Sequence, residues 1–243
     1  MKWKDHRRIT LEICRFFGLD NASDIAEASV LPDKEPDYYW TSGRRRVYRK
    51  RVPHHEKIAV ETAFKYLKEA RKRYLNNSSF AEPLGRALHY LQDYSIDPTE
   101  KLWIFSFRSD SAHDEREGSL QHLPIDFDAV KEAVGRRCYP YEFKSMVYST
   151  KRGKNAEEII SVASYLTSLA VKLIVNPDKP ENLKENYRRA LKLHVAVLLV
   201  PWTLLVFGFS YAIVSAILSL IIHAIDVNYT KWRTAYQWFE VKT

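Results

Sequence analysis

Apolar residues recur every three to four positions through most of the first 190 residues, and afterwards they run on almost without interruption. In HRRITLEICRFF, residues 6–17, Ile9, Ile13, Phe16 and Phe17 share one helical face and Gly18 marks a stop. A shorter helix is expected from Ala22 to Ala28. The two prolines of SVLPDKEPDYYW then turn the chain, which places Asp33 and Asp37 on a loop. VPHHEKIAVETAFKYLKEARKRYL reads as a long amphipathic helix with Pro53 in its first turn and His54 and His55 just inside it. Ile58, Ala59, Thr62, Ala63, Tyr66 and Leu67 form its inner face. After a break at 76–79, the leucines 84, 88 and 91 of LGRALHYLQDYSIDP mark the next helix, and 128–137 and 156–175 read as two more. No stretch of sequence alternates with the two-residue period of a sheet, so the expected fold class is all-α.

From 193 to 227 only His194, Pro201, Gly208, a few hydroxyls, His223 and Asp226 interrupt the apolar run. The run is too long for one bilayer span of about 20 residues, and as a hairpin turning at 207–210 each arm would have roughly 15–17 residues. Lys184, Arg188, Arg189 and Lys192 precede it, and Lys231 and Arg233 follow, which suits a hairpin with both ends on the cytoplasmic side. The rings of Trp202, Tyr229, Trp232 and Trp238 suit the membrane interface. A hairpin buried in the globule or in an oligomer interface is the competing reading. Two regions are therefore expected, a helical domain over 1–190 and a C-terminal membrane-associated segment over 191–243. Residues 9–17 are broken by Thr10, Glu12 and Arg15, unlike a secretory leader. The N-terminal domain is expected in the cytoplasm, anchored to the membrane.

Composition changes this picture in two ways. Cys14 and Cys138 are the two cysteines, too few for a disulfide scaffold and without a CxxC knuckle, so any metal must be held by His and carboxylate. The net charge of +8 and pI near 9.3 favour anionic partners such as phosphate esters, nucleic acid or acidic membranes. The run RRRVYRKR, residues 44–51, concentrates that charge. Arg44, Arg45, Arg46 and Arg49 are candidate substrate-binding cations, beside the plainer reading of a solvated loop.

His89 and Asp93 lie four apart on an apolar helix, so their side chains stack one turn over the other and can grip one ion. The alternative is a buried His satisfied by an acid one turn away. His113 and Glu117 repeat the spacing, and His6, His54 and His55 also adjoin carboxylates at predicted helix starts. Neutral imidazole with carboxylate is a ligand set that zinc accepts in catalytic sites.

Over residues 3–117 the chain resembles the zinc-dependent phospholipases C of the alpha-toxin type, which share an all-helical fold with the fungal single-strand-specific nucleases. The resemblance rests on His6 opening a helix, on SVLPD ending at Asp33, and on His54 or His55 ahead of a long helix. LGRALHYLQD and His113-x-x-x-Glu117 complete it. It implies a phospholipase C/nuclease-like multi-helix domain that holds roughly two or three zinc ions to activate water against a phosphodiester. Carried over, His89 and Asp93 would be central ligands, and His113 and Glu117 would hold a second metal. Asp33 with His54 or His55 would hold another, and His6 would join from the first helix. Asp33 would be the general base or a bridging ligand. The family's amino-terminal Trp, whose amino group binds metal, corresponds to Trp3, here preceded by Met1 and Lys2. Where the family has a His two residues beyond a Pro, this chain has Glu100, which either replaces the imidazole as an oxygen ligand or leaves that position vacant.

Three functions remain open on this reading. The first is a membrane-anchored, zinc-dependent phosphodiester hydrolase acting on phospholipid or a related phosphate ester. The second is a nuclease-like phosphodiesterase with nucleic acid along the basic run. The third is a noncatalytic membrane-associated helical protein with a degraded metal site.

Overall fold

The computed structural model describes residues 1–42, 46–102, 105–108 and 118–240, with the backbone alone at 100–102, 105–108, 121 and 122. The chain is predominantly helical and divides into two compact units, residues 1–138 with 142–178 and residues 139–141 with 179–243.

In the first unit, α1 (Trp3–Phe16), α2 (Ala22–Ala28), α4 (Lys57–Leu75), α5 (Ala81–Tyr94), α6 (Phe127–Gly135), α7 (Phe143–Ser149) and α8 (Ala156–Val175) pack together. The centre is α5, of whose 14 residues all but Glu82 are buried. A helix buried all round needs a close fit on every side, and Gly85 supplies one. A Cβ there would lie 2.5 Å from Ala28 Cβ and 2.7 Å from the Ile25 carbonyl oxygen, so α2 crosses α5 where no side chain fits. Helix α8 packs across α1, α4, α5 and α6 and is mostly buried, which makes it a core element despite its length and apolarity.

Several local expectations change. Asp33 stands in a single helical turn, α3 (Leu31–Lys34), with Pro32 in its first positions. Helix α4 starts at Lys57, so His54 and His55 occupy the turn before it rather than its first turn. Long-range contacts hold that turn, because His55 Nδ1 donates to the Asp93 carbonyl at 2.7 Å and Arg152 Nη1 donates to the His55 carbonyl at 2.8 Å. Helix α7 went unpredicted.

Two antiparallel ribbons also interrupt the all-helical pattern, β1 (Tyr38–Ser42) with β2 (Val47–Arg51), and β3 (Thr99–Leu102) with β4 (Phe105–Arg108). The first is largely exposed on both strands, so it has no buried face to impose the apolar and polar alternation that marks a half-buried sheet.

In the second unit, α9 (Leu183–Leu199) tightens into a 3-10 segment at Val200–Phe207. Gly208, with φ 135°, then reverses the chain into Phe209–Tyr211, α10 (Ala212–Ile225) and α11 (Val227–Glu240). The turn falls within the expected 207–210. The first arm is longer than expected, 25 residues over Leu183–Phe207, because α9 begins within the basic stretch. Pro201 cannot donate a backbone hydrogen bond, and carbonyls near it are capped by Ser219 Oγ on Leu198 (2.9 Å) and Ser215 Oγ on Pro201 (2.7 Å). His194 accepts or donates at both ring nitrogens, to Asp226 Oδ2 at 2.7 Å and His223 Nδ1 at 2.9 Å, and its ring stacks on Tyr229 at 4.0 Å. Trp238, expected at the interface, is buried.

By length and composition, α8 and Leu183–Phe207 are long and apolar enough to cross a membrane. The pair Phe209–Ile225 and Val227–Glu240, bent by 59°, makes a third if it counts as one span. Val206, Phe207, Phe209, Ile213 and Leu220 are strongly exposed, as a membrane-facing surface requires and an aqueous one disfavours.

Candidate metal centre

Because α5 is buried on all sides, every polar side chain on it must find a partner inside the protein. Arg86 does so through Glu82 (3.2 Å), Glu35 (2.9 Å) and Asp37 (3.5 Å). Asp37 also accepts from Tyr66 (2.5 Å) and Tyr90 (2.8 Å). One and two turns further along, His89, Gln92 and Asp93 build a second polar centre.

Asp93 is the hub. Its Oδ1 accepts from the Met1 amino group at 2.7 Å and lies 3.2 Å from His6 Nε2. Its Oδ2 accepts from His54 Nδ1 at 2.6 Å and lies 3.3 Å from His89 Nε2. Asp33 Oδ1 stands 3.8 Å from His89 Nε2 and 3.9 Å from His54 Nδ1, while its Oδ2 accepts from the Trp3 indole at 2.9 Å. The His6 and His89 rings stack at 4.2 Å, and His54 meets His89 edge-on at 4.8 Å. Two overlapping sets result, His6 with Asp33 and His89, and His54 with His89 and Asp93. In each, the potential ligand atoms lie within 4.8 Å of one another.

The surrounding shell sets the tautomers. His89 Nδ1 faces the Ser29 carbonyl at 2.9 Å, and a carbonyl can only accept, so this nitrogen carries the proton and Nε2 of the neutral ring presents its lone pair. His6 Nδ1 faces Gln92 Oε1 at 2.6 Å. The Gln92 amide is oriented by donating to the Thr10 (3.0 Å) and Thr167 (3.2 Å) hydroxyls, which turns its oxygen to His6. Among the described residues, His6 Nε2 finds no hydrogen-bond partner. The His6 Nε2 lone pair therefore faces a carboxylate oxygen with no proton between them, while the His89 Nε2 lone pair lies 3.2 Å from His54 Nδ1 as well as 3.3 Å from Asp93 Oδ2. That donor set, nitrogen and oxygen with each fixed His anchored through its far nitrogen, fits a divalent metal.

The electrostatics agree. Burial alone would raise the Asp93 carboxyl. The Met1 ammonium leads the interactions that outweigh it and hold Asp93 well below the usual carboxylate range. Burial, reinforced by His6, pushes His89 well below the usual imidazole range despite Asp93, so the ring is neutral near pH 7.

The centre has a closed side and an open side. His6, His89 and Asp93 are buried, whereas Asp33 and His54 are partly exposed, and Arg51 Nη2 lies 3.6 Å from Asp33 Oδ1. The centre opens to solvent past Asp33, His54 and Arg51.

Of the residues singled out by sequence, His6, Asp33, His54, His89 and Asp93 come together. His55 adjoins them but directs Nδ1 to a backbone carbonyl. Arg46 and Arg49 are exposed at the β1–β2 ribbon, where the Arg49 guanidinium lies over the rings of Tyr38 (4.9 Å) and Trp40 (6.0 Å). Arg51 is the cation of that run seen at Asp33. Arg44, Arg45, His113 and Glu117 lie outside the described residues, as does the side chain of Glu100 in β3. Sequence reasoning missed Gln92, whose signal was its place one turn from His89 and beside Asp93. It also missed the Met1 amino group, which donates to Asp93 within the cluster.

No protein-family model, curated protein or solved structure matches the chain.

Proposed function

We propose that the chain is a metal-dependent phosphodiester hydrolase of phospholipase C type, working on phospholipid or a related phosphate ester at a membrane. The carrying observation is the pair of Nε2 atoms on His6 and His89, fixed by Gln92 and Ser29 and aimed at Asp93 and Asp33. The resemblance in motif order to the zinc phospholipases C supports zinc as the metal, and the apolar helices of the second unit support the membrane setting.

His6, His54, His89, Asp33 and Asp93 would hold the zinc, which when bound supplies Lewis acidity toward a phosphoryl oxygen and acidifies water. Asp33 stands at the open edge with Oδ2 pinned by Trp3, so Oδ1 is directed at the centre and can take a proton from the attacking water. Arg51 is placed to hold a non-bridging phosphate oxygen beside it. The burial of His6 and His89 excludes bulk water from the closed side.

The test is zinc-dependent hydrolysis of p-nitrophenylphosphorylcholine and of vesicle phospholipid by the full chain, beside Asp33→Asn. Loss of a proton acceptor predicts a fall in kcat of about 10²–10⁴ at saturating zinc, with zinc content measured alongside. Wild-type turnover in the variant would remove Asp33 from the mechanism, and cleavage of single-stranded nucleic acid in place of lipid would move the substrate to the nuclease class.

One observation favours the noncatalytic reading. The Met1 ammonium and His54 already satisfy Asp93, so the cluster can stand as a self-contained buried ion-pair core. Zinc titration separates the two, because that core would take up no metal.

A further inference from the structure

The β1–β2 ribbon carries an unusual surface. Cross-strand pairing sets Tyr38 opposite Arg51, Trp40 opposite Arg49 and Ser42 opposite Val47, so these six side chains share one face. That face is open, with Trp40 69% and Val47 63% exposed. The other face carries Tyr39 opposite Lys50 and Thr41 opposite Tyr48. Between Tyr38 and Arg51 the sequence contains no acid. An exposed two-stranded ribbon is marginally stable in water and invites edge pairing, so large apolar rings kept on it call for a partner.

We propose that this ribbon docks the first unit onto an anionic lipid surface, with Trp40, Tyr38 and Val47 at the headgroup level and Arg46, Arg49 and Arg51 on lipid phosphates. Aromatic rings with an apolar body and a polar edge partition to that depth, and cations beside them meet the phosphate layer. A nucleic acid would use the same cations but would stack its bases on open ring faces. Here the Arg49 guanidinium already lies over both Tyr38 and Trp40, and the exposed Val47 offers a base nothing to stack on. The same polypeptide carries helices long and apolar enough to cross a membrane, so chain connectivity alone keeps lipid within reach. The ribbon also borders the metal centre, since Arg51 contacts Asp33 and the chain continues from β2 through Val52 to His54. Docking would bring the open side of that centre to the headgroups, yet the docking itself stands whether or not the centre hydrolyses anything.

The test uses the full chain in vesicles, labelled with an environment-sensitive fluorophore at Ser42→Cys on the exposed face. Cys14 and Cys138 are buried and their thiols are pushed up to about 12, so they leave the label to the new site. With about 30 mol % phosphatidylglycerol the emission is expected to rise about two- to threefold over neutral phosphatidylcholine, and to fall back in about 1 M salt. The combined Arg46→Glu and Arg49→Glu chain should lose the response. Because these side chains are exposed, and because the salt arm needs no substitution, the outcome does not hang on one variant folding. No response in anionic vesicles overturns the proposal, as does an equal response from a label at the exposed Lys131→Cys. A larger response to a single-stranded oligonucleotide than to vesicles overturns it in favour of nucleic acid. Zinc content measured on the same samples reports on the metal centre separately.

Discussion

Gln92 offers the sharpest perturbation, because it touches no proposed ligand set except through His6. In the Gln92→Leu chain the volume is nearly kept, but His6 Nδ1–H loses its 2.6 Å acceptor, and the buried hydroxyls of Thr10 and Thr167 lose a donor each. Both threonines sit on helices and can turn back to a carbonyl one turn away, so most of the penalty falls on the imidazole. One buried, unsatisfied donor costs about 1–3 kcal/mol. Loss of the group that orients a ligating His typically lowers metal affinity about 10- to 100-fold. Gln92→Glu keeps an acceptor for His6 and lets both hydroxyls donate, so it should restore affinity. Competition against a chromophoric zinc chelator measures both variants. Wild-type zinc affinity in Gln92→Leu, with the fold intact by circular dichroism, would refute the claim that Gln92 positions His6 as a ligand.

Gly85→Ala should destabilise the first unit by about 1–3 kcal/mol or more, since a Cβ meets Ala28 Cβ at 2.5 Å and backbone at 2.7 Å, and denaturant unfolding measures it. Acid sensitivity of the metal-stripped protein follows from His89 and Asp93. Both are held below their ordinary values, so the unfolded chain binds more protons than the folded one. His89 contributes stability that is present above about pH 6.5 and is lost as pH falls below it, at up to about 1.4 kcal/mol per pH unit. Asp93 adds a second loss only below about pH 4. Thermal melts in a chelator between pH 7 and 5 should show the first slope, and His89→Gln should flatten it.

Much of the fold was legible because it rests on periodicity. Helices α2 and α8 fall where the apolar spacing places them, and the hairpin turn falls at Gly208, the one residue of its stretch free to adopt φ 135°. What was not legible depends on contacts across the chain. Pro53 looks like a first helical residue, but His55 and Arg152 hold the residues after it in a turn, through partners about 40 and 100 positions away. The β1–β2 ribbon hides because, with its strands largely exposed, it leaves no alternating pattern. In the candidate centre, the His89 and Asp93 pair shows in sequence as an i, i+4 spacing on an apolar helix. Gln92 shows only as a polar residue one turn from His89, and the Ser29 carbonyl and the Met1 ammonium do not show at all, since nothing local distinguishes a backbone oxygen or a terminus that will end in the cluster.

The central claim is that these side chains hold metal, and elemental analysis tests it most directly. The full chain, purified in mild detergent without chelator, is compared with Asp93→Ala after exposure of both to excess zinc. Roughly two or three zinc ions per chain, reduced in the variant, is the result the account requires. No bound zinc in the wild type would contradict it and leave the cluster a buried ion-pair core.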